Sequence, residues 1–387
     1  MLIGLIALAV AMGIGRFSFT PLMPLMVRDD GLQITTGTEW AAANYIGYLL
    51  GALSAPWFGR QPKLGLQLGL LGVALTTLGM ALADSTSWTG GGFRSLSGVC
   101  SAWVLVCATS WCLPELARRH STAMGGWIYT CVGVGIALTG FLTWLGGHQS
   151  ASMLWIELGL LAMAGAGFVR LSLAADIQGT SPIPLRAVVT PPQVTSRPDE
   201  RHRAWGLVGC YGAFGFGYIV PATFLPTMAR ELVDDPWVFG LTWPLFGTAA
   251  TVSVALAARW LASWPRRKVW ALAQAIMAAG TLMPLLHQSL WAMALSAMLV
   301  GGTFMVATMA GLQLARDIMP HNPTPLLSRM TGAFATGQIA GPVLVRLISL
   351  STIESSVALN WAHGIATLVL VITAAWLWQG APAATEP

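Results

Sequence analysis

The sequence is a succession of long apolar runs separated by short polar turns. A helix of about 20 residues crosses the roughly 30 Å of hydrocarbon in a bilayer. Only 9% of the 387 residues are charged, whereas soluble domains carry about 25%, so the composition excludes an ordinary soluble enzyme. The runs predict twelve membrane-spanning helices, with approximate limits Met1–Met26, Trp40–Phe58, Leu64–Ala83, Ser87–Leu113, Thr122–Leu145, Ser152–Leu173, Ala204–Met228, Trp237–Ala262, Val269–His287, Leu290–Leu314, Ser328–Leu350 and Ser355–Trp378.

Basic residues concentrate in every second turn. If the N-terminus is cytoplasmic, most of the 20 Lys and Arg residues lie in cytoplasmic turns or the adjoining helix ends. This is the distribution that the positive-inside rule requires. It predicts a multi-pass membrane protein with both termini in the cytoplasm. It also accounts for the net charge of +5 without a nucleic-acid partner. The exceptions are Arg16, Arg28, Arg94, Arg230 and Arg346.

The chain divides into two similar halves. A polar, proline-rich stretch over residues 174–203 predicts a cytoplasmic linker between a six-helix bundle at 1–173 and another at 204–387. The pair Gly13-x-Gly15 corresponds to Gly215-x-Gly217 at an offset that also relates Pro24 to Pro226. At this offset Arg16 is matched by Tyr218. Two parallel repeats flanking a central loop are typical of one large group of secondary transporters.

Five stretches of the sequence form a recognisable set of motifs: Gly13-Ile14-Gly15-Arg16-Phe17, Thr20-Pro21-Leu22-Met23-Pro24-Leu25-Met26, Asn44-Tyr45-Ile46-Gly47-Tyr48-Leu49-Leu50-Gly51-Ala52-Leu53, Ser97-Gly98-Val99-Cys100-Ser101-Ala102-Trp103 and Gly337-Gln338-Ile339-Ala340-Gly341-Pro342. They resemble the major facilitator superfamily, and within it the bacterial YbfB/YjiJ-like branch. The resemblance covers nearly the whole chain. It implies an all-α membrane protein with twelve transmembrane helices in two pseudo-symmetric six-helix bundles. It also implies a monomeric secondary transporter in the bacterial inner membrane, which moves a small organic solute by alternating access coupled to protons.

Two arginines within apolar runs are the main candidates for substrate contact. In the resembled fold the first, fourth, seventh and tenth helices line a central cavity, which would place Arg16 and Arg94 there. Guanidinium groups bind carboxylate or phosphate in a bidentate fork, so the substrate is predicted to be an organic anion. In the alternative, each arginine holds a helix through backbone carbonyls or an internal ion pair. Thr20 is a further candidate, because it lies four residues after Arg16 and shares a face of the predicted helix with it. The other candidates for substrate contact, for which helix packing is the alternative, are Asn44, Tyr45, Tyr48, Tyr211, Tyr218 and Gln338.

Three residues are candidates for proton coupling. Arg94-x-x-Ser97-Gly98 resembles the superfamily's arginine motif for this role, and Glu157 and His363 are intramembrane titratable groups. A structural role is the alternative for the last two. The antiporter Gly-Pro motif is missing from the fifth helix, which argues against drug/proton antiport.

Four prolines lie in the second halves of the first and seventh predicted helices. Pro21, Pro24, Pro221 and Pro226 are predicted to bend the outer ends of the first and seventh helices. Simple helix ends at these prolines are the alternative.

The sequence leaves other functions open. No metal-ligand cluster, nucleophile–base pair or phosphate-binding loop is apparent, so neither a cofactor nor an enzyme activity is expected. Export of amphipathic compounds or drugs is the first alternative function. A membrane sensor that retains the fold without transporting is the second.

Overall fold

The computed structural model describes residues 2–58, 61–84, 88–118, 127–177, 198–233, 235, 237, 240–261, 263–319, 324–351 and 355–380, and its regular elements are helices throughout these ranges. Helix α1 has three parts: an α-helix at Leu2–Leu8, a π-helix at Ala9–Arg16 and an α-helix at Phe19–Asp29. The others are α2 Ile34–Ser54, α3 Pro62–Met80, α4 Thr89–Arg118, α5 Trp127–Leu145, α6 Ala151–Ile177, α7 Pro198–Leu232, α8 Thr242–Trp260, α9 Arg266–Leu286, α10 Leu290–Ile318, α11 Thr324–Ser351 and α12 Ser355–Gln379.

The helices occupy the twelve predicted apolar runs, which confirms the predicted fold class. Among the described residues, nine helices are long and apolar enough to cross a membrane, and α5 and α8 contain shorter apolar helices. Several predicted limits differ from the structure by four to six residues. For example, α2 begins at Ile34 rather than Trp40, and α8 begins at Thr242 rather than Trp237.

The two halves repeat one packing pattern. In the first half α2 and α3 pack on α4, α3 packs on α6, and α1 packs on α5. In the second half α8 and α9 pack on α10, α9 packs on α12, and α7 packs on α11. The halves meet where α2 packs on α11 and where α5 packs on α8, as a pseudo-two-fold axis along the membrane normal requires.

The predicted linker lies largely outside the described residues. Helix α6 continues to Ile177 and α7 begins at Pro198, so both helices extend into the stretch assigned to the linker. The remainder, residues 178–197, is not described. The division into 1–173, 174–203 and 204–387 therefore stays a prediction.

Close backbone contact sets the path of α1 through the first half. A Cβ added at Gly13 would collide with the backbone of Gly135 on α5. Every described residue from Val10 to Met26 is buried, so this part of α1 lies inside the bundle rather than against lipid. We name the end of the bundle where α1 begins and α12 ends the N/C face, and the opposite end the far face.

Candidate functional site

Helix α1 is interrupted in the middle of the bundle. The amide of Phe17 donates to the carbonyl of Met12, five residues earlier, at 3.1 Å. Phe17 and Ser18 then form a turn before helix resumes at Phe19. Although Pro221 and Pro226 lie within an uninterrupted α7, Pro21 removes one helical hydrogen bond here, because proline has no N–H for the carbonyl four residues before it and its ring clashes with that carbonyl. That carbonyl belongs to Phe17, so the interruption precedes the prolines that were expected to bend the helix end.

Side chains of α4 bind the carbonyl groups around this interruption. Arg94 donates from Nη1 to the carbonyl of Gly15 at 3.0 Å and from Nη2 to the carbonyl of Arg16 at 2.9 Å. Ser97 donates to the same Gly15 carbonyl at 2.7 Å. Ser101 donates to the carbonyl of Ala11 at 2.9 Å. Interrupted helices in membranes are tolerated where neighbouring groups satisfy the backbone in this way, so the guanidinium of Arg94 stabilises α1.

Arg16 lies between the two halves of the molecule. Its side chain is buried at 3% exposure, and Nη2 donates to Oε1 of Gln338 on α11. The amide of Gln338 in turn donates to the hydroxyl of Tyr218 on α7. The guanidinium carbon of Arg16 is 3.8 Å from the ring centroid of Tyr48 on α2, which is close cation–π contact. The cluster thus joins α1 and α2 of the first half to α7 and α11 of the second.

An aromatic wall continues from this cluster into the second half. The ring of Tyr218 lies between those of Phe304 and Phe334, with centroids 5.4 Å and 5.6 Å away and interplanar angles of 8° and 7°. Phe17 extends the wall, since its centroid is 6.4 Å from that of Phe304. Tyr211 continues the wall in the other direction, 5.3 Å from Phe334.

The positive charges of the cluster have no neutralising carboxylate among the described residues. The ion pairs in this part of the chain are Arg28 with Asp29 and Arg346 with Glu39, at 2.5 Å and 3.0 Å. Both are on or near the far face. Arg16 and Arg94 instead bind neutral acceptors and aromatic rings. The interior of the bundle therefore carries an electropositive centre.

Contacts on the far-face side of Arg16 hold the halves together. Tyr45 on α2 shares a hydrogen bond of 3.0 Å with Thr223 on α7. Nearer the far face, Nε of Arg346 on α11 donates to Oε1 of Glu39 on α2 at 3.0 Å. The indole of Trp144 on α5 donates to the carbonyl of Trp237, just before α8, at 2.9 Å.

The remaining predicted site residues lie in varied surroundings. Asn44 is fully buried and donates to the carbonyl of Arg94 at 2.8 Å, which ties α2 to α4. Thr20 is buried, but the turn at Phe17 and Ser18 interrupts the helical repeat that was expected to place it beside Arg16. Glu157 lies on an exposed face of α6.

His363 is the other predicted titratable group, and it lies inside α12. Its Nδ1 is 2.9 Å from the carbonyl of Leu359. Its Nε2 is buried without a hydrogen-bond partner among the described residues. No described contact connects it with Arg16.

Reasoning from the sequence missed four residues that surround the Arg16 cluster. Phe17, Phe304 and Phe334 are apolar residues in apolar helices, so nothing in the sequence sets them apart. Thr223 could have been found, because the repeat offset aligns it with Pro21, where the two halves differ. Among the residues described, no group of three or more His, Cys, Asp or Glu side chains could hold a metal ion.

The fold and the buried cluster between two six-helix halves define a major facilitator transporter. The chain belongs to the family described as the uncharacterised MFS-type transporter YbfB, whose model matches residues 8–377. Among solved structures, it is similar to the crystal structure of a D-xylose-proton symporter, with a TM-score of 0.76 and 11% identity over 98% of this chain and 97% of that one. At this identity the likeness concerns the fold alone. No curated protein matches.

Proposed function

We propose that the protein is a secondary transporter of a small organic anion, which binds at Arg16 and crosses the membrane by alternating access. The supporting observation is a buried guanidinium whose partners, Gln338 and Tyr48, are both neutral. A buried charge without a counter-ion is costly. A carboxylate or phosphate would supply the negative charge together with the acceptor pair that guanidinium favours.

The position of the cluster supports alternating access. Arg16 and Gln338 belong to different halves, and Oε1 of Gln338 accepts from the guanidinium. A bound anion would compete with that oxygen for the same N–H groups. Substrate binding would then alter a contact between the halves, and a ligand shifts a conformational equilibrium only through a difference in contacts of this kind.

Proton coupling is the second part of the proposal, and His363 is its best-supported carrier. Its Nε2 is buried without a hydrogen-bond partner among the described residues, so a proton carried by this histidine would be held at that atom. Arg94 has less support because its guanidinium binds backbone carbonyls. Glu157 has less support because it lies on an exposed face. Solute flux that ignores an imposed pH gradient would contradict coupling.

The orientation of the charges supports the cellular location. Helix α9 begins at the N/C face with Arg266, Arg267 and Lys268, whereas α1 reaches the far face with Asp29 and Asp30 beside Arg28. Following the positive-inside rule, we place the N/C face in the cytoplasm of a bacterial cell, with the chain acting as a monomer in the inner membrane. A C-terminal reporter that is active only in the cytoplasm tests this orientation.

A sensor that binds an anion without transporting it is the second candidate function. It is favoured by the enclosure of the cluster, since Arg16, Tyr48 and Gln338 are only 3%, 6% and 0% exposed. The aromatic wall would also suit the amphipathic compounds of an exporter. Binding and flux measurements separate these functions.

The first experiment measures binding through thermal stability. Purified protein is mixed with monocarboxylates, dicarboxylates and organophosphates, each beside its neutral amide or alcohol. A ligand that binds only the folded form raises the apparent melting temperature. We expect acids to stabilise the protein, their neutral analogues to have no effect, and Arg16→Ala to abolish the response. Arg259→Ala, which alters an exposed arginine, is the matched control and should respond as wild type does.

The second experiment measures flux of the acid that stabilises most. Vesicles of both orientations, with and without a pH gradient, report direction and coupling. Transport that survives Arg16→Ala would overturn the proposal. Binding without any flux would favour the sensor.

A further inference from the structure

A groove on the outside of the second half is separate from the Arg16 cluster. It lies between α9 and α12 and has a volume of about 380 Å³. Small side chains form its floor and walls, among them Ala271, Ala275, Ala374 and Ala375. Trp378, which is 51% exposed, closes one side near the N/C face.

The length of the groove suits a lipid chain from one leaflet. Ala275 is nine residues beyond Arg266 at the start of α9, which is about 14 Å along the helix. Val371, which also lines the groove, is eight residues before Gln379, or about 12 Å. Half of a hydrocarbon core of about 30 Å is about 15 Å. The groove therefore runs from the membrane surface to nearly the bilayer midplane.

The mouth of the groove is positively charged. Nζ of Lys268 is 5.8 Å from the ring centroid of Trp378. Arg267 stacks on Trp376 at 4.4 Å and donates from Nε to the carbonyl of Leu377 at 3.0 Å. Arg266 adds a third cation at the first position of α9. Neither α9 nor α12 contains an Asp or Glu residue, so no acidic group on these two helices offsets the charge.

We propose that this groove binds one anionic phospholipid, with an acyl chain against the alanines and the headgroup phosphate at Lys268. The apolar groove and its cationic mouth lie together at one end of the bundle, and an anionic phospholipid needs both. Trp378 lies at the boundary where tryptophan side chains favour the interface. None of the residues that line the groove belongs to the Arg16 cluster, so this proposal does not depend on the proposed solute.

The test uses full-length protein in detergent, titrated with phosphatidylglycerol and, separately, with phosphatidylcholine and glycerol 3-phosphate. Native mass spectrometry counts bound lipids and a thermal-shift assay reports stabilisation. We expect one phosphatidylglycerol per chain and little response to the other two probes. Lys268→Gln should weaken retention about fivefold, the factor expected for one lysine near an anionic surface. Lys268→Arg should restore it.

A second variant tests the acyl chain. Ala375→Leu fills the groove from an exposed position and should abolish retention, a larger loss than that of Lys268→Gln. Ala279→Leu, exposed on α9 but outside the lining residues, should retain lipid as wild type does. Equal binding of phosphatidylcholine, or unchanged retention in both Lys268→Gln and Ala375→Leu, would overturn the proposal. A dimer that Ala375→Leu dissociates would identify the groove as an interface between copies, and this result would also overturn it.

Discussion

Helices α1 and α7 occupy equivalent places in the two halves, yet they differ at the centre of the bundle. The repeat offset aligns Arg16 with Tyr218, and both side chains meet at Gln338. One half therefore supplies a cation and the other a phenol to the same amide. Pseudo-symmetry brings the two positions together, and their different side chains make the site charged on one side and aromatic on the other.

The backbones of the two helices differ as well. Helix α1 is interrupted at Phe17 and Ser18, four and three residues before Pro21, whereas α7 is continuous through Thr223, the residue aligned with Pro21. The hydroxyl of Thr223 instead bonds Tyr45 across the two halves. Arg94 binds the carbonyls that the interruption leaves in α1. No Arg or Lys occurs in the corresponding part of α10, from Leu290 to Gly311.

The largest effect is expected from Arg94→Ala. This change removes two charge-assisted hydrogen bonds to buried carbonyls, each worth about 1.5–3 kcal/mol. The free energy of unfolding should therefore fall by about 4 kcal/mol. Apparent melting temperature in detergent is the measurement. Arg94→Lys keeps the charge without the planar fork and should show a smaller loss. Wild-type stability in Arg94→Ala would contradict the role assigned to this residue.

A smaller effect is expected when the difference between Pro21 and Thr223 is removed. Thr223→Pro adds a third proline to α7, which already contains Pro221 and Pro226, and removes the helical hydrogen bond of residue 223, so it should lower the free energy of unfolding by about 3 kcal/mol. Pro21→Thr should cost less than about 1 kcal/mol, because Pro21 is in the first turn of Phe19–Asp29, where its missing N–H has no helical partner. Unfolding in denaturant compares the two, and Thr223→Ala controls for the lost bond to Tyr45. Equal costs for the two proline changes would contradict this account of α1.

A loss of stability smaller than that of Thr223→Pro, and the sharpest effect on function, are expected at Gln338. Gln338→Leu leaves buried groups of Arg16 and Tyr218 without partners and should destabilise the protein by about 2 kcal/mol. Gln338→Glu offers the guanidinium a carboxylate and should instead raise the melting temperature. It should also abolish stabilisation by added organic acids, because the internal carboxylate occupies their place. If Gln338→Glu responds to organic acids as wild type does, Arg16 is not their binding group.

The sequence drew attention to residues whose type is unusual for their surroundings, and their contact with a substrate stays a prediction. Arg16 is a cation in an apolar run, and Gln338 is an amide in another, so both were identified as site candidates, and the structure brings them together. For Arg94 the sequence left two roles open, and the structure favours the bonding to backbone carbonyls. The prediction that Thr20 lies beside Arg16 assumed an uninterrupted helix. The turn at Phe17 and Ser18 lies between the two residues, so that assumption does not hold.

The sequence by itself determined that the chain is a bundle of twelve membrane helices in two related halves. Apolar length, sparse charge and an internal repeat are properties of the linear chain, and a bilayer acts on them directly. Only the tertiary structure decided which side chains share the centre. The partners of Arg16 come from helices far apart in the chain, and their contacts depend on how the interruption in α1 turns its side chains. Packing between distant helices fixes that geometry, and no local pattern records it.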